Sequence, residues 1–239
     1  MSSFVTVPIL TITPATPRSI LFALDLRETT LSFRPGQAVF IGGHAQSIRR
    51  PYSIACSPEQ AEMSRTLELL VGVDAVGSPG PHLPSMRPGT AIDVEGPLGS
   101  FIFPETPAQQ RVLLVGGGTG IAPLRSMIDH AMRQHPSRRM ALLYSARRAD
   151  EFAFIDEFRE HARAGRIELH QTVTREDEGW RGDRGRIGRS HFEAVLHDSG
   201  GTLCFVCGPA EMVTEAVATL TELGVPADAI RTEQWGTRT

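Results

Sequence analysis

The sequence predicts two domains of different class: an all-β unit over residues 1–106 and, over residues 107–239, an α/β unit built as a doubly wound parallel sheet. Three observations carry this division. Up to about residue 103, short alternating apolar segments are separated by Pro/Gly turns such as Arg34-Pro35-Gly36 and Arg87-Pro88-Gly89, the pattern of a barrel or a sandwich. From residue 111 the period changes, and strands alternate with helical stripes, which implies parallel strands covered on both faces. Between the two, residues 104–110 are polar and hold Pro104 and Pro107, and the linker is placed there.

In the first unit, strands are expected at residues 19–24, 37–41, 52–55, 67–73 and 91–94. In the second, a strand at 111–115 leads into a helix from Ala122 with Leu124, Met127, Ile128 and Ala131 on one face. A strand at 140–145 is followed by a helix from Asp150, with Phe152, Ile155, Phe158 and Ala162 aligned. A third strand at 167–173 precedes a short helix opened by the capping box Ser190-x-x-Glu193. The strand at 203–206 enters a helix that begins at Pro209, carries Met212, Val213, Ala216, Val217 and Leu220 as its stripe, and stops at Gly224. A last strand is expected at 230–233.

Chemistry is concentrated in the turn after the first α/β strand, where Gly116, Gly117, Gly118, Thr119 and Gly120 precede Ile121-Ala122-Pro123. Glycine lets the backbone turn sharply and approach a ligand with no Cβ between them. Proline in the first helical turn sacrifices no hydrogen bond. Such a strand–loop–helix unit aims free N–H groups and the positive end of a helix dipole at one point, which suits a diphosphate. The spacing differs from G-x-G-x-x-G, because the third glycine is missing.

Composition excludes several classes. Hydrophobic residues make up 41%, charged residues 21%, and the net charge is −3, so no basic field points to nucleic acid. Arg181, Arg184, Arg186 and Arg189 form a local basic run; with Glu176, Asp177, Glu178 and Asp183 beside them they read as a solvated loop, the alternative being a contact to nucleotide phosphate or to an acidic partner. No apolar stretch is long enough to cross a membrane as a helix, and residues 1–19 lack the basic start of a signal peptide. Three cysteines give no disulfide framework and fit a reducing compartment, so a cytoplasmic location is expected. Cys204 and Cys207 spell C-x-x-C, but on a strand they point to opposite faces with Cα atoms roughly 10 Å apart, beyond disulfide reach. The eight histidines show no metal-ligand spacing, and no metal is expected. Nothing in these features sets the oligomeric state.

A second set of motifs lies around the glycine loop. Arg50-Pro51-Tyr52-Ser53 follows Pro35-Gly36-Gln37 and precedes Gly96-Pro97-Leu98-Gly99-Ser100-Phe101, while Cys207-Gly208-Pro209 and Glu233-Gln234-Trp235 come later. In this order the set resembles the ferredoxin–NADP reductase superfamily, whose flavin domain carries R-x-Y-[ST] and whose nicotinamide domain carries a GGGTGIAP-like loop and a CGP turn. The resemblance covers nearly the whole chain. It implies an antiparallel β-barrel holding FAD, an α/β domain holding NADP or NAD, and hydride transfer from the nicotinamide nucleotide to FAD. Electrons would then pass to a separate one-electron acceptor protein, a ferredoxin or an oxygenase component. The rivals are a flavin reductase that releases reduced flavin and a non-catalytic electron-transfer or regulatory subunit. Intact motif strings argue against the latter. Cys56, Cys204 and Cys207 do not meet the plant-type iron–sulfur pattern, so the acceptor is expected to be a different protein.

Individual roles follow from the same resemblance. Arg50 would pair with the flavin diphosphate, a bidentate task suited to guanidinium. Pro51 belongs to that string, Tyr52 would line the isoalloxazine and ribityl, and Ser53 would donate toward flavin N5. Gly77-Ser78-Pro79-Gly80 stands where the family has G-x-x-[ST], with Leu83 matching its downstream leucine. Gly80 takes the hydroxyl position, so that side-chain bond is lost unless Ser78 supplies it. Gly116 to Gly120 would hold the nucleotide diphosphate, and Cys207, with Gly208 and Pro209, would sit beside nicotinamide C4. Glu233 resembles the near-terminal acidic residue, and Trp235 takes the place of the aromatic that covers the flavin. Ser145, Arg147, Arg148 and Arg175 stand where NADP-specific relatives carry Ser and Arg. Asp150 nearby is the alternative, as an NADH-type ribose ligand or a helix cap.

Overall fold

The structure, a computed structural model, describes residues 4–73, 80, 83, 87–106, 108–175 and 178–235. The first sheet contains β1 (Phe4–Thr16), β2 (Ser19–Asp25), β3 (Ala38–Gly43), β4 (Arg50–Ser53), β5 (Thr66–Gly72) and β6 (Ala91–Leu98), with α1 (Pro58–Ser64) before β5. All its ladders are antiparallel, in the order β4-β3-β6-β1-β2-β5. An Ile54–Leu69 bridge joins the two ends of that order, and the sheet closes into a barrel. Its interior is filled by alternate residues such as Phe22, Leu24, Ile41, Leu69 and Ile92, as period-2 patterning requires.

β1 is not among the strands expected from sequence. It carries Pro8 and Pro14, which cannot donate to a ladder. Pro8 stands where pairing with β6 ends, and Pro14 lies beside a register shift in the pairing with β2. The prolines thus occupy the places where a long strand tolerates them. α1 is also additional to the sequence reading: Ser57 caps it by accepting from the Gln60 N–H, and Pro58 opens it.

The second sheet holds β7 (Arg111–Gly117), β8 (Arg139–Ala146), β9 (Glu168–Val173), β10 (Asp183–Arg184), β11 (Thr202–Pro209) and β12 (Ile230–Trp235). Every ladder is parallel, in the order β10-β9-β8-β7-β11-β12. On one face, α2 (Ile121–Gln134) and α3 (Ile155–Arg163) pack Leu124, Met127 and Phe158 against Leu114, Tyr144 and Phe205. On the other, α4 (Arg189–Val195) and α5 (Ala210–Glu222) pack Phe192, Val213 and Leu220 against Leu113, Val115 and Val206. The sheet is therefore doubly wound.

Two expected helix starts move. α3 begins at Ile155, because Asp150 lies in a separate short turn and the chain passes through left-handed Phe154 first. Asp150 therefore does not cap α3. α4 begins at Arg189, so Ser190 is inside the helix; Gly188 is the cap residue, and His191 Nδ1 accepts from its N–H. Cys204 and Cys207 lie in the cores on opposite faces of the sheet, and the C-x-x-C string cannot act as a dithiol.

The two sheets are joined by a buried junction. Phe101 and Phe103 pack on Phe205 with ring centroids 5.6 and 5.7 Å away. Arg231 Nη1 donates to the Ile102 carbonyl at 2.7 Å. Arg125 of α2 reaches across to Glu68 of β5 at 2.5 Å and to the Ala55 carbonyl at 3.0 Å, while its Nε holds Glu157 of α3 at 2.9 Å. Its guanidinium also covers the Phe154 ring. The expected boundary after residue 106 abuts residue 107, which lies outside the described residues.

Candidate functional site

In an open α/β sheet, ligands gather beyond the carboxyl ends of the strands where the winding direction reverses. Here the chain steps outward from β7 to β8 and β9, then returns on the other side of β7 with β11. The reversal lies between β7 and β11, whose ends carry the glycine loop and the CGP turn, and Cys207 stands in register with Gly116.

The loop and the turn touch. Gly120 has torsions any residue adopts (φ −62°, ψ −7°), yet a Cβ there would lie 2.3 Å from the Cys207 carbonyl oxygen and 2.9 Å from the Gly208 nitrogen. Glycine is required at this position by approach, not by torsion. From below, the buried Tyr144 hydroxyl donates to the Gly118 carbonyl (3.3 Å) and accepts from the Ala153 N–H (3.1 Å). Sequence places Tyr144 on a strand and no more; its partners lie elsewhere in the chain and leave no local signal.

Three expected residues from distant parts of the chain meet at one carboxylate oxygen. Ser53 Oγ of β4 donates to Glu233 Oε2 of β12 at 2.9 Å, and Cys207 Sγ of β11 donates to the same oxygen at 3.9 Å. Burial raises the Glu233 carboxyl above the usual carboxylate range, against the hydrogen bonds from Ser53 and Cys207. Burial, reinforced by Glu233, also lifts the Cys207 thiol well above the ordinary value, so it stays neutral. The Cys204 thiol is pushed up to about 12 by burial.

The raised Glu233 carboxyl makes a stability prediction. The folded state holds this proton to higher pH than the unfolded chain, so stability falls as pH rises from the ordinary carboxylate value through the raised one. Glu233→Gln keeps an acceptor for Ser53 and removes the penalty. The melting temperature of the variant relative to the parent is therefore expected to climb as pH rises above the ordinary carboxylate value. A difference that does not change with pH there would contradict a raised Glu233.

Beside this triad opens a cavity of about 450 Å³, within the usual range for small-molecule sites. Gly117, Gly118 and Thr119 line it with bare or nearly bare backbone, Trp235 walls one side, and Ser145 and Arg147 stand at the end of β8. Trp235 is 43% exposed, and a Cβ on Gly118 would come within 3.6 Å of its ring. Of the other expected nucleotide residues, Arg148 is aimed at Asp150 (3.8 Å) and Arg175 is exposed, and neither lines the cavity. Arg186, part of the run that sequence reads as a solvated loop or as a contact to nucleotide phosphate, is exposed and lines it, held by Glu211 at 2.7 Å and Glu215 at 3.7 Å. The lining of bare backbone with Arg147 and Arg186 fits a nucleotide diphosphate.

On the barrel side, Arg50 is exposed and Tyr52 half-buried on β4. Burial pushes the Tyr52 phenol up to about 12, with the Arg50 charge opposing, so the phenol is a neutral donor. Arg50 has no ion pair among the described residues, leaving its guanidinium available to an anionic ligand. Gly80 holds φ +97°, which a Ser or Thr seldom adopts, a backbone reason for the absent hydroxyl. Gly77 and Ser78 lie outside the described residues.

A barrel carrying an available arginine and a parallel sheet carrying a bare diphosphate loop define a flavin- and nicotinamide-nucleotide-binding oxidoreductase. The family models agree: "Oxidoreductase FAD-binding domain" matches residues 11–103, and "Oxidoreductase NAD-binding domain" matches residues 114–218. The chain is 31% identical over 198 residues to ferredoxin–NADP reductase B of Sorangium cellulosum, covering 79% of this chain and 78% of that protein. It belongs to the ferredoxin–NADP reductase family, and its cofactors are FAD and a nicotinamide nucleotide.

A component of the Na+-translocating NADH-quinone reductase of Klebsiella pneumoniae is 29% identical over 206 residues, 78% of this chain. The present chain spans about half the length of that relative. Among solved structures, a ferredoxin NADP+ reductase from Neisseria gonorrhoeae with bound FAD and NADP shares the fold at TM-score 0.81 and 22% identity, covering 98% of this chain and 99% of that one. The Amycolatopsis cytochrome P450 reductase shares it at TM-score 0.84 and 24% identity, covering 98% and 71%.

Proposed function

We infer that this chain takes electrons from NADPH onto FAD and passes them to a separate one-electron acceptor protein, a ferredoxin or an oxygenase component. The meeting of Ser53, Glu233 and Cys207 across the two sheets, beside the nucleotide cavity, carries the reading. FAD, when bound, accepts two electrons as a hydride from the nicotinamide and releases them singly. The chain's contribution is positioning. In this reading residues 1–106 hold the flavin and residues 107–239 the nucleotide. Arg50 binds the flavin diphosphate, Tyr52 borders the ring system, and Ser53 presents a hydroxyl toward it. Gly116 to Gly120 and the turn from Cys207 to Pro209 hold the nucleotide, and Glu233 orients the Ser53 hydroxyl and the Cys207 thiol. Trp235 shields the space between the two ligands from water.

The experiment is a visible spectrum and an acceptor assay. The purified protein should be yellow, acid should release FAD, and NADPH should drive fast reduction of ferricyanide with slow oxygen consumption. Turnover with the protein acceptor should fall steeply with salt, as for steered, transient encounters. Rapid reduction of free flavin, with no stimulation by any protein acceptor, would favour the flavin-reductase reading instead.

Two further outcomes are expected. Arg50→Ala removes a charge-assisted bond to phosphate worth roughly 1.5–3 kcal/mol, so FAD should bind about ten- to a hundredfold more weakly. Equilibrium dialysis that finds unchanged affinity would take Arg50 out of the flavin site. Arg147 and Arg186 at the cavity favour a 2′-phosphate, so kcat/KM should favour NADPH over NADH, and the bias should shrink as salt rises. Equal or better use of NADH at low salt would discard the arginine argument.

A further inference from the structure

A second cavity, of about 560 Å³, lies away from the cofactor cavity. It opens at the beginnings of β7, β8, β9 and β11, about 20 Å from the glycine loop along β7 at the usual rise per residue. Arg111, Arg138, Arg139 and Arg166 line it, although the chain as a whole is net acidic.

The placement of two of these arginines is costly. Arg111 and Arg139 are the first residues of β7 and β8 and stand in register on adjacent strands. Their backbones are therefore about 5 Å apart with side chains on one face, an arrangement in which like charges repel. Arg111, Arg139 and Arg166 have no ion pair among the described residues. The carboxylate in the lining, Glu168, is engaged by His170 at 2.8 Å and His197 at 3.5 Å instead of by an arginine. On the same face as Arg111 and Arg139, Leu113, Ala141 and Val195 supply an apolar floor.

A concave site with an apolar floor, where no carboxylate answers Arg111, Arg139 or Arg166, is built for an anion with a body. We propose that this cavity binds a small organic polyphosphate of nucleoside-triphosphate size. Arg111 and Arg139 form the phosphate clamp, Arg166 adds charge at the rim, and the apolar residues receive the organic part. Guanidinium pairs engage phosphate oxygens bidentately, and a cavity of this volume holds such a ligand.

The test uses the full FAD-loaded chain saturated with NADP+, so that the cofactor cavity is filled. Calorimetric titration with inorganic tripolyphosphate and with ATP should show one site for each, with ATP tighter because the floor takes its organic part. Arg111→Gln/Arg139→Gln should weaken both by at least about tenfold and leave NADPH-driven ferricyanide reduction unchanged. Without ligand and at low salt, this variant should melt no lower than the parent, since a like-charge contact has been removed. Arg166→Gln, at an exposed position, gives an independent reading and should weaken ATP binding severalfold. Absence of binding in the parent chain, unchanged affinity in both variants, or a lowered melting point of the ligand-free double variant would overturn the proposal. Tighter binding of heparin than of ATP would overturn it too, by pointing to a polyanionic macromolecule.

Discussion

Gly120→Ala is expected to slow the reduction of bound FAD by NADPH by about a hundredfold while leaving FAD content near normal. The torsions at this position suit alanine, so helix α2 itself does not object. The obstacle is three backbone atoms of the CGP turn, all within 3 Å of the new Cβ. Backbone cannot swing aside as a flexible side-chain tip can, so the turn from Cys207 to Pro209 must move away from the glycine loop. Overpacking of this kind costs roughly 1–3 kcal/mol of stability. Displacement of a reacting group by about 1 Å costs on the order of a hundredfold in rate. Arg50 and Tyr52 belong to the other sheet and are untouched, so flavin binding should survive. Stopped-flow bleaching compared with flavin content separates the two effects. A rate within a few-fold of the parent would show that the loop and turn need not touch for transfer.

Arg125→Ala should be the most damaging substitution for stability. Arg125 is 8% exposed, and its guanidinium joins β5, the Ala55 carbonyl, α3 and the Phe154 ring. Removing it leaves Glu68 and Glu157 without the cation they share, and leaves the Ala55 carbonyl without this donor. Breaking a buried pair from one side costs about 3–5 kcal/mol, and the lower end applies because Glu157 keeps a third of its surface. The loss should appear in thermal or urea unfolding. Arg125→Lys should recover only part of it, because one ammonium cannot serve two carboxylates and a carbonyl in the guanidinium's geometry. An unfolding free energy within about 1 kcal/mol of the parent would show that the junction is held by Phe101, Phe103 and Phe205 instead.

Much of the fold is legible in sequence where the determinant is local. The change of period near residue 104, the glycine loop and the stripe of α2 each announce themselves within a dozen residues. Exclusion of a C-x-x-C dithiol has the same local basis, since strand alternation alone separates Cys204 from Cys207. What sequence does not reveal depends on partners far away. β1 looks broken because Pro8 and Pro14 deny it donors, and only the switch from β6 to β2 shows why both are tolerated. The start of α3 moves because Phe154 adopts a left-handed torsion that an aromatic residue rarely signals. Arg186 is solvated, as sequence has it, but what sets it at the cavity edge is not local. Its partners in space are Glu211 and Glu215, on a helix some 25 residues later. Tyr144 and Arg125 show nothing of their roles until Gly118, Ala153, Glu68 and Glu157 are placed around them. The contact of Ser53 with Glu233 spans 180 positions, and the motif resemblance, not the local pattern, brings those two residues together.

Electron transfer through this chain is tested most sharply by anaerobic stopped-flow mixing of the purified, FAD-loaded protein with NADPH, followed by a second mixing with ferricyanide. Rapid loss of the flavin absorption band is expected on the first mixing and rapid recovery on the second. Recovery should be only slow when air is admitted instead. A chain that retains FAD but whose band does not bleach with either NADPH or NADH would contradict the proposed function, since the glycine loop, the CGP turn and the Ser53–Glu233–Cys207 contact would then serve no transfer of electrons.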